Sequence, residues 1–297
     1  MVRNIVEKAP LTDPVVIHNR TRARAETFQA SLPDPSRVTI AESLAAGVSA
    51  ADIIFTCLAD DSAVTSTLDA ALAVGVSGKI LVDCSTIHPE TTSGLGKRVT
   101  AAGGDFVAAP VFGAPAMADA GMLVAVLAGA RPVVDKVRPY FKGATARKEI
   151  DLSEESQAAK ASWDRASHLK VLGNTFILNM VEQISQGLTA AEKTGLGTAP
   201  LLSFIEAVFP GPYVAYANRM LTGDYYKRDE PLFAVDLARK DLRHAVSLTA
   251  GAGMEMPLAE TADRHLVRVK ERSGEKGDIA GIYGVVREEA GLNFENS

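Results

Sequence analysis

Three arginines stand close together at the end of a short β-rich run. Pro14-Val15-Val16-Ile17-His18 reads as a strand and ends in Asn19-Arg20-Thr21, with Arg22 and Arg24 just behind. In a dinucleotide-binding fold the second strand ends in the group that reads the ribose. A carboxylate there bonds the 2′-hydroxyl of NAD. An arginine's fork and plane suit the 2′-phosphate of NADP. Arg20 therefore favours NADP over NAD. The same residues also suit a solvated, basic helix start, and a motif this short fits either use.

The phosphate-binding companion of such a site would be Gly-x-Gly-x-x-Gly after a first strand. Gly94-Leu95-Gly96, Gly195-Leu196-Gly197 and Gly251-Ala252-Gly253 reach no third glycine at the required place, and none follows a strand. The motif is absent. Metal chemistry finds no support either. His18, His88, His168, His244 and His265 show no ligand spacing, and Cys57 and Cys84 are too few for a cysteine-built zinc site or a disulfide scaffold. No metal site is expected.

The elements that would carry these residues fall into two halves. Up to residue 152, apolar runs alternate with helical stretches. Residues 53–58, 79–84, 105–110 and 122–127 read as strands, and residues 62–74 as a helix. Pro89 suits the first turn of the helix after Cys84. Strands apolar on both faces, alternating with helices, predict a parallel sheet covered on both sides. From residue 153 the strand signals vanish. Residues 168–193 read as one long helix, with Leu169, Leu172, Phe176, Ile177, Met180, Ile184 and Leu188 at helical spacing. Further helices are expected over 199–208, 213–221, 232–251 and 258–272. The expected domains are thus 1–152, α/β, and 153–297, all-helical and led by the long helix.

Composition limits the partners. With 31 Lys+Arg against 36 Asp+Glu the net charge is −5, which disfavours a nucleic-acid or anionic-membrane surface. The longest apolar stretch, residues 106–130, is broken by Pro110, Pro115 and Asp119, so no membrane span is expected. Met1 to Lys8 lacks the apolar core of a signal peptide. A cytoplasmic location is the simplest reading, with a mitochondrial one open if a targeting segment lies outside the chain.

Six segments together resemble the β-hydroxyacid dehydrogenases, the group of 3-hydroxyisobutyrate dehydrogenase, with a nucleotide domain like that of 6-phosphogluconate dehydrogenase. They are Asn19-Arg20-Thr21, Leu58-Ala59-Asp60-Asp61, Val82-Asp83-Cys84-Ser85-Thr86-Ile87, Ala109 to Gly113 with Ala118-x-x-Gly121-x-Leu123, Lys170-Val171-Leu172-Gly173-Asn174, and Lys240-Asp241-Leu242. Each is weak alone; their order and spacing carry the resemblance. It implies a Rossmann-like α/β domain followed by an all-α substrate and dimer domain. It implies NAD(P)-dependent oxidation of a small hydroxy acid, or reduction of a related carbonyl compound, by a homodimer.

The resemblance also assigns residues. Lys170 takes the family's general acid/base position and Asn174 the asparagine one turn later. Residues four apart share a helix face, and burial and neighbours can tune a lysine for proton transfer. From spacing alone Lys170 would pass for a solvated surface lysine. Lys160 is a rival, but Asp164 rather than asparagine follows four residues on. Leu58 and Ala59 would line the adenosine–pyrophosphate side. Ser85 and Thr86 would reach the nicotinamide or cap the following helix. Lys240 would face the cofactor, or simply pair with Asp241 or Glu260.

Three departures from the family pattern stand out. The substrate loop reads Phe112-Gly113-Ala114 where short hydroxy-acid enzymes carry Ser-Gly-Gly; backbone N–H groups around Gly113 could still bind an anion, but the change suggests a larger or less polar carbonyl or imine. Residues 163–167 resemble a small insertion. The chain reads as starting inside the first helix, short of roughly 20–25 residues of strand and glycine loop. That opens two alternatives: a cofactor-impaired, non-catalytic dimer or truncated gene product, and an imine reductase-like enzyme, against which Lys170 counts.

Overall fold

The computed structural model describes residues 1–155 and 162–296; Lys160 lies outside them. The chain divides into two compact units, Met1–Lys170 and Val171–Ser297. Among the described residues no helix is long and apolar enough to cross a membrane, and no cluster of histidine, cysteine or carboxylate side chains is arranged to hold a metal.

The first unit is α/β. Its order is α1 (Val2–Lys8), β1 (Val15–Ile17), α2 (Arg22–Ala30), β2 (Val38–Ile40), α3 (Leu44–Ala50), β3 (Ile53–Thr56), α4 (Asp61–Val74), β4 (Ile80–Asp83) and α5 (Pro89–Ala101). Then follow β5 (Asp105–Ala108), β6 (Val111–Phe112), α6 (Pro115–Ala120), β7 (Leu123–Leu127), α7 (Arg131–Val137) and β8 (Ala146–Asp151). The strands form three ladders. β1 pairs with β2, β3–β4–β5 run parallel side by side, and β7 pairs parallel with β8 and antiparallel with β6. A bridge between Ala108 and Ala128 ties the second ladder to the third. Among the described residues β1 and β3 each pair along one edge only, leaving the row of backbone groups on the other edge outside any ladder.

The central strands β3, β4, β5 and β7 are largely apolar because both faces are covered. Leu81, Phe106 and Val126 point into one core with Leu68, Leu95 and Val99, whereas Ile80, Val82, Val107 and Leu127 point into another with Val134 and Phe141. Alternate residues thus serve opposite cores, the condition under which a parallel strand loses its polar alternation. Helices start at the carboxyl ends of these strands with local caps. Asp60 Oδ1 accepts from the Ala63 amide at the head of α4. At the head of α5 the cap is His88, with Pro89 in the first turn; Ser85 and Thr86 do not cap this helix.

α8 runs from Asp164 to Lys193, starting four residues earlier than the periodicity predicts. The segment that resembles an insertion is packed. Trp163 lies against Gly96 so closely that no Cβ would fit there, and its indole N–H donates to the Phe106 carbonyl at 2.9 Å. Ser167 shares a 2.6 Å hydrogen bond with Thr92 of α5. These contacts bind the head of α8 to the first unit, so the compact units divide at Lys170 rather than after the last strand.

The second unit is helical. The rest of α8 is followed by α9 (Thr198–Val208), α10 (Pro212–Leu221), α11 (Asp224–Lys227), α12 (Val235–Gly251), α13 (Pro257–Ser273) and α14 (Ile282–Glu289). Its core gathers Leu178, Val181, Leu188, Leu242, Leu266 and Tyr283.

Candidate active site

The carboxyl ends of β3 and β4 are joined by a buried polar network. Asp83 closes β4, opposite Thr56 in the parallel register. It is 4% exposed, yet no cation is bonded to its carboxylate among the described residues. Its Oδ1 accepts from Thr56 Oγ1 and Ser85 Oγ, each at 2.7 Å. Ser85 Oγ in turn accepts from the Leu58 amide at 2.9 Å. Burial pushes the Asp83 carboxyl above the usual range; the Ser85 and Thr56 hydrogen bonds oppose this and Asp61 adds to it. The network fixes the two turns holding Leu58 and Ala59 on one side and Ser85 and Thr86 on the other. Leaving a buried polar group unpaired costs about 1–3 kcal/mol, so the turns and the aspartate constrain one another.

Lys170 belongs to this unit and is 8% exposed. Its ammonium lies 4.4 Å from the centre of the Phe112 ring, at the distance of a cation–π contact. Lys170 is also felt at the end of β3. The Cys57 residue is exposed, but protein crowding its sulfur is the main cause that raises its thiol pKa; Asp83 adds to this and Lys170 opposes it. Lys170 and Phe112 are therefore neighbours. Gly113 and Ala114 continue from Phe112 in an exposed loop, and Gly113 has φ near +141°, a backbone that suits glycine.

At the end of β1, Asn19, Arg20 and Thr21 are exposed. Asn19 Oδ1 accepts from the Thr21 amide at 2.9 Å, shaping the turn into α2. Arg22 pairs with Glu26 at 2.9 Å, whereas Arg20 forms no ion pair among the described residues. These three residues belong to the β1–β2 ladder and the Leu58–Ser85 pair to the β3–β5 ladder.

In the second unit two side chains meet at one carboxylate. Asn174 Nδ2 donates to Asp241 Oδ2 at 2.6 Å, and Lys240 Nζ donates to Asp241 Oδ1 at 2.8 Å. Asp241 is 3% exposed, and Asn174 and Lys240 are also buried. Lys170 and Asn174 stand one turn apart on α8. Sequence reading reached Asn174, Lys240 and the pairing of Lys240 with Asp241, but not the bond from Asp241 to Asn174, nor the role of Asp83. The available signal was a carboxylate set against apolar residues: Asp83 after Ile80-Leu81-Val82, and Asp241 before Leu242.

The residues present suit the sugar and nicotinamide ends of a dinucleotide. Buried hydroxyls and a fixed amide turn stand at the β3 and β4 ends, and an arginine stands at the β1 end. A parallel α/β unit with such strand ends, leading into an all-helical unit, defines a nucleotide-dependent oxidoreductase. Residues 1–152 match the NAD binding domain of 6-phosphogluconate dehydrogenase, and residues 165–286 match the NAD-binding region of NADP-dependent 3-hydroxyisobutyrate dehydrogenase. The chain is 35% identical over 295 residues to the NADH-dependent oxidoreductase ucdB of Aspergillus ustus, covering 99% of this chain and 97% of that protein. In fold it is similar to 3-hydroxyisobutyrate dehydrogenase of Mycobacterium tuberculosis with L-serine (TM-score 0.76, 22% identity, 96% and 94% of the two chains). It is likewise similar to Psf3 in complex with NADP+ and 2-OPP (TM-score 0.77, 22% identity, the same coverage). The chain belongs to the 3-hydroxyisobutyrate dehydrogenase-like β-hydroxyacid dehydrogenases, a family of NAD(P)-dependent oxidoreductases.

Proposed function

We propose that the chain interconverts a small hydroxy compound and its carbonyl partner, with Lys170 as general acid/base and NADP(H) as preferred cofactor. When bound, the reduced nicotinamide supplies the hydride. Asn19, Arg20 and Thr21 hold the adenosine ribose end, Leu58 and Ala59 line the adenosine–pyrophosphate side, and Ser85 and Thr86 flank the nicotinamide. In the reductive direction Lys170 Nζ delivers a proton to the carbonyl oxygen; in the oxidative direction it takes the hydroxyl proton. Asp241 binds the Asn174 amide and the Lys240 ammonium, and Asn174 follows Lys170 by one turn of α8.

The observation that carries this reading is the largely buried Lys170 ammonium beside Phe112. For the cofactor, the support is Arg20, exposed and without an ion pair among the described residues. The name of the A. ustus relative favours a second reading, NADH, and the single-edge pairing of β1 and β3 favours a chain impaired in cofactor binding. Nicotinamide fluorescence separates the three. NADPH is expected to saturate at lower concentration than NADH, and Arg20→Asp to reverse that order. The reverse order in the unaltered chain assigns NADH, and saturation by neither sinks the enzymatic reading.

For a dimer, the support is the exposed apolar side chains of α9 and of Phe209 just after it. Phe204, Val208 and Phe209 are exposed, and Phe209 stacks on Tyr213 at 5.1 Å. A second copy of the chain is the proposed cover. Sedimentation is expected to give a dimer, and Phe204→Lys with Val208→Lys a monomer.

A further inference from the structure

Phe112 places an aromatic ring against the ammonium that the proposed reaction needs. The loop around it has an unusual composition. From Ala109 to Ala118 the sequence is Ala-Pro-Val-Phe-Gly-Ala-Pro-Ala-Met-Ala, ten residues without one polar side chain. No side-chain hydroxyl, carboxamide or guanidinium in this stretch can receive a carboxylate, which leaves only backbone N–H groups for that task. The backbone also resists acquiring one at the next position. Gly113 has φ near +141°, and a Cβ there would approach Leu123 Cδ2 to 2.7 Å and Met117 Cβ to 3.2 Å. An L side chain at 113 is strained whatever its chemistry.

The electrostatics point the same way. The face of an aromatic ring is negative, and an ammonium over it is stabilised without a carboxylate. At 4.4 Å Phe112 supplies that stabilisation to Lys170. In the second unit the Lys240 ammonium is already bonded to Asp241. Lys170 thus has an aromatic partner within its own unit.

From this, and resting on the oxidoreductase reading above, we infer that Phe112 is a specificity-determining residue. It selects an uncharged ketone or aldehyde with an aromatic or broad apolar substituent, and it disfavours a substrate carrying its own carboxylate. The substituent packs on the ring and the apolar loop while the carbonyl oxygen faces Lys170. A carboxylate placed there would lose its water with no donor side chain from the loop in return, which is unfavourable.

The test compares phenylacetone and phenylacetaldehyde with succinic semialdehyde. Turnover is followed with saturating NADPH, and binding by calorimetry with saturating NADP+. The unaltered chain is expected to favour the aryl compounds in kcat/KM by about 10–100-fold, the range one pocket side chain commands. Phe112→Ser should lower kcat/KM for the aryl compounds and raise it for the semialdehyde. Phe112→Tyr, which keeps the ring, should preserve the original order and shows whether a failing Phe112→Ser has merely misfolded. A preference of the unaltered chain for the semialdehyde overturns the inference. So does an unchanged ratio in a folded Phe112→Ser. If neither class is turned over, the catalytic reading fails, and the calorimetric preference still decides the assignment of Phe112: tighter aryl binding upholds it, and equal or weaker aryl binding overturns it.

Discussion

Asp83 and Asp241 are buried to nearly the same degree, 4% and 3% exposed, but they are compensated differently. Asp83 sits among hydroxyls and an amide, and burial raises its pKa. Asp241 holds an ammonium and a carboxamide. Dipoles satisfy hydrogen-bonding capacity without cancelling charge, whereas a cation does both. The first arrangement suits a pair of backbone turns that must be held in place. The second suits side chains that must be oriented while their own charge is neutralised. The α/β unit thus fixes its strand ends with a strained carboxyl, and the helical unit fixes Asn174 and Lys240 with an ion pair.

The largest break in this comparison is expected at Asp241. Asp241→Ala takes the carboxylate from the buried Lys240 ammonium and from the Asn174 amide, and loss of one member of a buried pair costs about 3–5 kcal/mol. Urea unfolding should register that loss in the helical unit. Asp83→Ala leaves two hydroxyls without their acceptor and should cost roughly 1–3 kcal/mol. Equal losses at the two sites would end the distinction between ionic and dipolar compensation.

A smaller, pH-dependent effect sharpens it. Asp83 has its pKa raised in the folded state, so that state retains the proton longer than the unfolded chain does. Stability should therefore fall as pH rises from the ordinary carboxylate value through the raised one, and level off above it. Asp83→Asn should flatten that slope in thermal melts, and an unchanged slope would show that other groups cause it.

The smallest expected effect lies in the helical unit. His265 bonds Glu182 through Nδ1 at 2.8 Å and approaches Glu289 through Nε2 at 3.3 Å. The Glu182 hydrogen bond is the main cause that raises its pKa, and the glutamate charges add to it against burial. This stabilisation is complete below the ordinary imidazole value and is lost as pH rises through the folded pKa. His265→Gln should remove a shallow fall in melting temperature over that window and leave the Asp83 slope intact.

The sequence made the central strands legible because β3, β4 and β5 serve cores on both faces and carry almost nothing polar. It hid β2, three residues long, and β8, whose Arg147-Lys148-Glu149 reads as a charged loop. β8 is held by its pairing with β7 and by the Arg138–Glu149 ion pair at 2.6 Å, neither of which leaves a local pattern. The head of α8 was obscured for a related reason. Trp163 to Ser167 resembles an insertion until Gly96 and Thr92 are seen to receive it. The candidates Arg20, Leu58 and Ser85 follow from the strand ends that precede them, whereas Lys170 follows only from the family resemblance, since its spacing alone suits a solvated lysine. The role of Asp83 was not legible, because it depends on Thr56, 27 residues away; Asp241 was legible as a partner of Lys240, but its bond to Asn174, 67 residues away, was not. The aromatic contact of Lys170 with Phe112 was hidden in the same way, with both residues quoted and their meeting unseen.

The account turns on Lys170. Its most direct test is NADPH-dependent reduction of phenylacetaldehyde by the unaltered chain and by Lys170→Met, with nicotinamide fluorescence recording cofactor occupancy in both. The expected result is equal cofactor binding and a fall in kcat of about 10²–10⁴-fold, the contribution of a positioned proton donor. A Lys170→Met chain that binds NADPH and turns over at the unaltered rate would contradict the account.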